Sequence, residues 1–140
     1  MAGYSGTPLV KKLGIKPGHR VAFIAAPKNY AATLGKLPPE VSVSRAPNGT
    51  LDFIQLFVRN RAELESEMPR AQRALAQDGM LWISWPKKSS GVATDLDENR
   101  LRDIGLPHGL VDNKVCAVNE VWSGLRFVVR VENRPAKRAR

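Results

Sequence analysis

Three features of the sequence predict an α/β fold in which helices cover both faces of a mostly parallel β-sheet. Met80–Trp85 is an almost unbroken apolar run, which is typical of a strand buried on both faces. Directly before it, the apolar side chains of residues 60–78 recur at helical spacing. The last two apolar segments are joined by a connection short enough to make them an antiparallel hairpin. The predicted architecture is therefore a three-layer sandwich that ends in an antiparallel hairpin.

The N-terminal half is predicted to contain two short helices and three strands. A turn at Pro17-Gly18 delivers the chain into an apolar strand, which ends at Pro27. A short helix follows and is broken by Pro38-Pro39. The predicted elements are a helical turn at Leu9–Leu13, a strand at Val21–Ala26, a helix at Lys28–Lys36, a strand at Val41–Ser44 and a strand at Leu51–Val58.

The pairing of the strand at Val41–Ser44 is left open by the sequence. Its alternation of apolar and polar residues is typical of a half-exposed strand. The six residues 45–50 that lead to the next strand are fewer than the dozen or more, roughly, that a parallel crossover takes. The strand is therefore expected either to pair antiparallel or to lie displaced at an edge of the sheet.

The C-terminal half is predicted to begin with a long helix at Asn60–Asp78, which Gly79 ends in a left-handed conformation. Pro69 is expected to kink this helix or to restart it. The helix would dock one apolar stripe on the sheet, formed by Leu64, Met68, Ala71 and Leu75.

A further helix is predicted at Asn99–Ile104, with Asp95 as its N-cap and Glu98 completing a capping box. Asp95, a carboxylate close to a basic loop, also has a catalytic interpretation, but capping is the favoured one. Strands at Lys114–Val118 and Leu125–Val131 close the domain as the hairpin. This order of elements is that of a Rossmann-like α/β sandwich.

Length and composition predict one α/β domain over residues 1–131 and a basic, disordered tail over residues 132–140. The 140 residues, 43% hydrophobic and 25% charged, are typical of one ordinary globular core. The net charge is +9, and the part of the chain before the last seven residues carries +5 of it. Such a tail could bind nucleic acid through salt-dependent phosphate contacts, or it could be a solubilising terminus. Its cations are Arg134, Lys137, Arg138 and Arg140.

The sequence predicts a cytoplasmic protein without a membrane partner. Its longest apolar runs are of strand length, far short of the ~20 residues that a membrane span needs. The N-terminus has no basic region followed by a hydrophobic stretch, so no signal peptide is recognised. The single Cys116 has no partner for an internal disulfide, which agrees with a reducing compartment.

Basic and amide-bearing residues follow three of the predicted strands, and these segments form the candidate ligand-binding site. Ligands of open α/β sheets bind outside the carboxyl ends of the strands, where the crossovers diverge. Charge-assisted hydrogen bonds from such residues could hold a phosphate or carboxylate group. Solvated lysines on surface loops are the alternative interpretation. The candidate ligand-binding residues are Lys28, Arg59, Lys87, Lys88, Ser89 and Ser90.

No cofactor site and no catalytic constellation is recognised in the sequence. Ala25-Ala26-Pro27-Lys28 stands where a dinucleotide fingerprint would place glycines. His19 and His108 are isolated, so no metal-ligand pair has a recognised spacing. Cys116 lies in an apolar strand and is expected to be a small buried thiol. Whether the protein is an enzyme therefore stays open.

The three tryptophans differ in their expected roles. Trp82 and Trp85 are three positions apart on one strand, so they should point into the core on opposite faces of the sheet. Trp122 lies in the connection of the hairpin and is expected to be partly exposed. There it would either stack on a flat base or make a contact between two copies of the protein.

Five segments of the chain carry a resemblance to a known family: Gly3–Leu9, Lys11–Gly18, Leu81–Lys88, Gly109–Val118 and Trp122–Leu125. They resemble small bacterial proteins named domain of unknown function 3052. The resemblance covers nearly everything from Gly3 to Arg130. It implies no established activity, because that family has none to transfer.

A looser likeness concerns the architecture. Pro17-Gly18 before the first strand, Leu51–Ile54 opening a middle strand and the closing hairpin are similar to S-adenosylmethionine-dependent methyltransferase domains. The glycine loop of those domains, and the acid after their second strand, are missing here. The likeness therefore implies a reduced relative that has lost cofactor binding.

The leading hypothesis from the sequence is a small intracellular protein that binds an anionic, phosphate-bearing ligand at the carboxyl-terminal edge of the sheet. One alternative is a reduced methyltransferase-like enzyme. Another is a nucleic-acid or protein adaptor that uses the basic tail. The hypotheses differ in where a ligand binds, either at the ends of the strands or along the tail.

Overall fold

The computed structural model describes residues 8–47, 49–130 and 132. Residues 133–140 of the predicted tail lie outside this part of the chain, so the tail and the adaptor hypothesis stay predictions. The helices are α1 (Leu9–Leu13), α2 (Tyr30–Leu34), α3 (Arg61–Ala74) and α4 (Glu98–Gly105), with 3₁₀ turns at Lys88–Ser90 and Leu106–His108. The strands are β1 (Arg20–Ile24), β2 (Ser42–Ser44), β3 (Leu51–Phe57), β4 (Leu75–Pro86), β5 (Leu110–Ala117) and β6 (Trp122–Val129).

These strands form one six-stranded sheet in the order β2-β1-β3-β4-β6-β5. β1, β2, β3 and β4 are parallel, whereas β6 lies between β4 and β5 and is antiparallel to both. The predicted α/β fold, with a mostly parallel sheet and a C-terminal antiparallel hairpin, is confirmed. The carboxyl ends of the four parallel strands consequently lie along one edge of the sheet, which we call the carboxyl edge.

Helices cover both faces of the sheet, as the three-layer prediction requires. On one face, Leu13 of α1 and Tyr30 of α2 pack in a buried cluster with Trp82. On the other face, Leu64 of α3 belongs to a larger buried cluster that also contains Trp85. The two tryptophans therefore point to opposite faces, as their spacing on β4 predicts. No helix in the described ranges is both long and apolar enough to cross a membrane.

β2 pairs parallel with β1 at the edge of the sheet, so the displaced-edge alternative is confirmed and the antiparallel one is wrong. The short connection to β3 suffices because β2 has only three residues, which lie level with Arg20–Ala22. At ~3.3 Å per residue, the chain travels back only about 10 Å along the strand direction before β3 begins.

α3 ends earlier than the sequence predicts, at Ala74 and not at Asp78. Tertiary pairing overrides the helical spacing here, because Leu75 pairs with Leu51 and starts β4. The helix is continuous through Pro69, so the predicted restart at this residue does not occur.

Gly79 has a role different from the predicted helix stop. It lacks the left-handed φ that such a stop requires. It lies where the register of β4 against β3 shifts, before Met80 pairs with Phe53. A Cβ at this position would lie 3.0 Å from the backbone oxygen of Asp52. Glycine is therefore required by the close approach of two strands.

The N-cap of α4 is Asp97 and not Asp95, because the Asp97 carboxylate accepts a hydrogen bond from the Arg100 amide. Asp95 instead accepts a hydrogen bond from the Arg61 amide at 2.8 Å. This bond satisfies an N–H group in the first turn of α3, which has no partner within the helix. Asp95 thus binds the N-terminus of a helix, but this helix is α3 and not α4. The tertiary fold brings α3 and Asp95 together.

The first testable prediction concerns the anchor between α1 and the sheet. Trp82 is fully buried, and its indole nitrogen donates a hydrogen bond to the Leu13 backbone oxygen at 2.8 Å. Trp82→Phe removes this donor, so the unfolding free energy should fall by about 1–3 kcal/mol beyond the lost packing. Urea denaturation measures this. Trp85→Phe is the matched control, since its indole nitrogen has no acceptor among the described residues; equal losses would contradict the anchor.

Candidate functional site

A cleft of about 620 Å³ opens at the carboxyl edge, between the ends of β1 and β3. We call it the central cleft. Its walls are the loop after β1, the end of β3, the first turns of α3 and the start of β6. The position is the one at which open α/β sheets bind ligands. The residues that give the cleft its chemical character are Ala25, Phe57, Arg59, Glu63, Ser66, Glu67 and Trp122.

The charged side chains of the central cleft come from the start of α3. Asn60 begins this helix, because its side chain accepts a hydrogen bond from the Glu63 amide at 2.9 Å. The Glu63 carboxylate in turn accepts a hydrogen bond from the Arg59 amide at 2.7 Å, and it lies 3.5 Å from the Arg59 guanidinium. Glu67 lies one turn further along the helix. The cleft therefore presents one cation and two carboxylates.

One wall of the central cleft is aromatic. Trp122 is half-buried, as predicted, and its ring meets the ring of Phe57 edge to face with 5.2 Å between the centroids. Phe57 packs in the same way against Tyr30 at 4.9 Å. This packing fixes the Trp122 ring beside the cleft while part of it stays accessible, as stacking on a flat ligand requires.

A second cleft, of about 600 Å³, lies on the other side of the loop after β1, over β1, β2 and α2. We call it the edge cleft. Within the described part of the chain, its polar side chains besides the Tyr30 hydroxyl are Asn29, Ser44 and Arg45, and Arg45 is the only charged one. The remaining wall is mostly apolar and includes Phe23, Leu34, Leu37 and Val43.

The loop between the two clefts has a strained backbone. Ala25 and Asn29 have φ values of +60° and +65°, in the left-handed region that favours glycine. Both residues are exposed, so packing does not account for a side chain at Ala25. Strained backbone positions of this kind concentrate at functional sites.

A buried chain of hydrogen bonds holds the residue that follows this loop. The Tyr30 hydroxyl donates to Gln55 Oε1 at 2.6 Å, and Gln55 Nε2 donates to Ser84 Oγ at 3.0 Å. Burial raises the pKa of Tyr30 above its ordinary value. Because Gln55 is on β3 and Ser84 on β4, the chain ties the start of α2 to two central strands.

The structure distributes the six predicted site residues along the carboxyl edge. Arg59 lines the central cleft, and Lys28 is exposed in the loop after β1. Lys87–Ser90 form a basic loop after β4, which lies beside Trp122 because the Lys87 amide donates to the Val121 oxygen at 2.8 Å. Among the residues that line either cleft, Arg59 is the only one of the six. Their convergence on one ligand stays a prediction.

Within the basic loop, Ser90 has local partners. Its hydroxyl donates to the Lys87 backbone oxygen at 2.6 Å and accepts a hydrogen bond from the Val92 amide at 3.1 Å. Lys88 and Ser89 are exposed. Ser90 therefore shapes the loop, whereas Lys88 and Ser89 are accessible to a ligand.

The two histidines and the cysteine have structural surroundings. His19 Nδ1 accepts a hydrogen bond from the Lys16 amide at 3.2 Å, which stabilises the turn before β1. His108 Nδ1 lies 2.7 Å from Gln72 Oε1, and Gln72 Nε2 donates to the His108 oxygen at 2.6 Å. Cys116 is half-buried, and desolvation raises the pKa of its thiol. No three potential metal-ligand side chains cluster in the described part of the chain.

Comparison with known proteins supports the fold and not the resemblance to domain of unknown function 3052, since no family model and no curated protein matches this chain. The ribosomal protein L11 methylase of Lactobacillus delbrueckii subsp. bulgaricus matches over 86% of this chain and 74% of its own, with 12% identity and a TM-score of 0.58. The DhpI–SAH complex matches over 86% and 81%, with 11% identity and a TM-score of 0.59. The magnesium protoporphyrin IX methyltransferase ChlM of Synechocystis PCC 6803 with bound SAM matches over 86% and 74%, with 10% identity and a TM-score of 0.55.

The chain has the fold of these solved structures. SAM and SAH, the ligands of two of these structures, are S-adenosylmethionine and S-adenosylhomocysteine. At 10–12% identity the similarity concerns the fold alone. It supports the architectural likeness to S-adenosylmethionine-dependent methyltransferase domains that the sequence indicates.

The residues at the carboxyl edge lack two features of a dinucleotide-binding site. Such a site approaches its ligand with the backbone of a glycine-rich loop, but here Ala25 carries a Cβ and Pro27 has no N–H group. Such a site also binds the free hydroxyls of a ribose through an acid near the end of the second strand. That position is occupied here by Arg45. The fold is therefore shared with methyltransferases, whereas the chemistry of these two positions is different.

The second prediction tests the strain in the loop after β1. Ala25→Gly should raise the unfolding free energy by about 0.5–1 kcal/mol, because relief of ~1–2 kcal/mol of left-handed strain exceeds the ~0.4–1 kcal/mol that the more flexible unfolded chain costs. Ala26→Gly is the control, since Ala26 is also exposed but has no left-handed φ. It should lose about 0.4–1 kcal/mol. A loss in both variants, measured by urea denaturation, would contradict the strain.

The third prediction follows from the raised pKa of Tyr30. Above about pH 10 the unfolded tyrosine loses its proton while the buried one keeps it. The unfolded state then binds fewer protons, so the unfolding free energy falls by ~1.4 kcal/mol per pH unit. Tyr30→Phe should remove this contribution. Urea denaturation at several alkaline pH values decides it; the same slope in wild type and Tyr30→Phe would contradict the assignment.

Proposed function

We propose that this chain is a reduced methyltransferase-like protein that binds a nucleoside-type small molecule at the carboxyl edge of its sheet. The observation that carries the proposal is the pair of clefts on either side of the loop after β1. Ligands of open α/β sheets bind at this position. Two solved structures of similar fold are named as complexes with SAM or SAH, which are nucleoside ligands.

The central cleft has an aromatic wall, which suits the base of a nucleoside, and a polar wall, which suits its sugar. Its volume of about 620 Å³ lies within the ~300–1,000 Å³ that is typical of small-molecule sites. Trp122, held in place by Phe57, offers an aromatic surface to a flat base. Arg59 and Ser66 supply hydrogen-bonding groups for the sugar and its substituents. A base stacked on Trp122 would therefore have its polar side directed toward the start of α3.

The fourth prediction tests binding in the central cleft. Titration calorimetry with adenosine, AMP, SAM and SAH should give binding heat for at least one of them, and that ligand should raise the melting temperature. Trp122→Ala should weaken its binding about tenfold, because stacking on one base contributes ~1–3 kcal/mol. Leu106→Ala removes an exposed apolar side chain outside both clefts and should leave the affinity unchanged. No heat and no thermal shift with any of the four compounds would contradict the proposal.

A second proposal concerns charge, and it keeps the anionic ligand that the sequence predicts. We propose that phosphate groups of the ligand contact Lys87, Lys88 and Ser89, with Lys28 and Arg59 nearby on the same edge. The observation that favours it is the 2.8 Å hydrogen bond from the Lys87 amide to Val121, which keeps the basic loop beside the central cleft. Charge-assisted hydrogen bonds to phosphate contribute ~1.5–3 kcal/mol each.

The fifth prediction tests whether the basic loop itself binds ATP, or whether ATP is attracted only by the overall positive charge of the protein. The double variant Lys87→Ala/Lys88→Ala should bind ATP at least about tenfold more weakly, whereas binding of uncharged adenosine should not change. The matched control is Lys11→Ala/Lys16→Ala, which removes the same charge from exposed residues of α1 and the turn before β1. Equal weakening of ATP binding in the two double variants would contradict a specific role of the basic loop.

A further inference from the structure

The edge cleft differs from the central cleft in the sign of its charge. Among the described residues that line it, Arg45 is the only charged one, and none carries a carboxylate. The nearest acid in the sequence is Glu40, which is exposed and does not line the cleft. An arginine offers several N–H donors in a fixed plane, which suits the oxygens of a phosphate group. The edge cleft is thus suited to an anion and unsuited to a cation.

The position of Arg45 in the fold indicates that it would bind a phosphate on the ribose of a nucleotide. β2 pairs parallel with β1 and ends at Ser44, so Arg45 follows directly at the carboxyl edge. It comes 20 residues after Ala25, the first residue beyond β1. In dinucleotide-binding sheets, an acid about 20 residues after the first turn binds the free ribose hydroxyl, and an arginine nearby accommodates a phosphate on the ribose.

The rest of the edge cleft suits the base of the same nucleotide. Phe23 is half-buried at its floor, and Leu34, Leu37 and Val43 complete an apolar wall. The Tyr30 hydroxyl is bound to Gln55, so it is not a free donor for a ligand. The side chains of Asn29 and Ser44 remain as neutral hydrogen-bonding groups near Arg45 in the lining. A flat ring in this cleft would therefore be held by apolar contact and its phosphate by Arg45.

We infer that the edge cleft selects an adenosine-type nucleotide that carries a phosphate on its ribose, in preference to one with free ribose hydroxyls such as SAM or SAH. The inference rests on the proposed function, because it assigns a ligand class to a cleft of the same carboxyl edge. This position is separate from the one beside Trp122 in the central cleft. The inference also explains why no acid directly follows β2. An arginine that binds a ribose phosphate replaces the acid that would bind free hydroxyls.

The test compares nucleotides that differ in the position of a phosphate, together with SAH, which has no phosphate. Calorimetry should show that adenosine 2′,5′-bisphosphate or adenosine 3′,5′-bisphosphate binds at least about tenfold more tightly than 5′-ADP, which has the same number of phosphates, and than SAH. Arg45→Ala should abolish this preference. Lys16→Ala, which removes one exposed charge before β1, should keep it. Arg45 is exposed, so its replacement leaves the core intact, and a melting curve of the variant checks this.

The outcomes separate this inference from the proposal on which it rests. Equal affinity for the bisphosphates, 5′-ADP and SAH would overturn the inference while the nucleoside-binding function stands. A preference that survives in Arg45→Ala would overturn the role of Arg45 and with it the inference. Absence of binding by every adenosine compound would overturn the proposed function and the inference together. A preference that is lost only in Arg45→Ala supports both.

Discussion

The hydrogen-bond chain from Tyr30 through Gln55 to Ser84 is the constraint on which the carboxyl edge depends. Its polar groups are buried on a face of the sheet that is otherwise filled by apolar and aromatic side chains. A buried polar group without a partner costs about 1–3 kcal/mol, so the three side chains must meet. Their meeting fixes the start of α2 against β3 and β4. Because Tyr30 follows the loop after β1 directly, the chain also fixes where that loop returns to the body of the protein.

The course of this loop divides the carboxyl edge into two clefts. Ala25–Pro27 line both of them, with the central cleft on the side of β3 and the edge cleft on the side of β2. The left-handed φ of Ala25 shows that the loop is held in a conformation that alanine does not favour. The buried hydrogen bonds thus stabilise the fold next to the strained loop. This loop separates two clefts whose lining residues differ in the sign of their charge.

Much of the fold could be predicted because apolar patterning determines it. β3 and β4 are apolar at consecutive positions, which is typical of strands buried on both faces. Together with the short hairpin connection, this is sufficient to predict a mostly parallel sheet between helices. The sequence predictions are wrong where contacts between residues distant in the sequence determine the structure. Leu75 has helical spacing but pairs with Leu51, and Asp95 has the spacing of a cap for α4 but binds the Arg61 amide. Neither partner can be identified from the neighbouring residues in the sequence.

The candidate site was predictable in part. Arg59 could be placed at the carboxyl edge because it follows the end of a predicted strand, whereas Trp122 was expected only to be partly exposed in the hairpin connection and in fact begins β6. The edge cleft and Arg45 were missed, although Arg45 follows a predicted strand in the same way as Arg59 does. Gln55 was also missed; its amide interrupts the apolar stretch Phe53–Val58, and a polar side chain at a position buried on both faces signals a partner. The identity of that partner depends on the packing of α2, which the sequence does not specify.

We propose that a nucleoside-type ligand binds around the loop after β1. Two-dimensional NMR of the ¹⁵N-labelled protein, with backbone amides assigned, tests this during titration with an adenosine nucleotide. We expect the largest shifts on the amides of Ala25, Ala26, Arg45 and Arg59. Shifts confined to residues away from the carboxyl edge, such as Arg70 and Arg73 on α3, would contradict it.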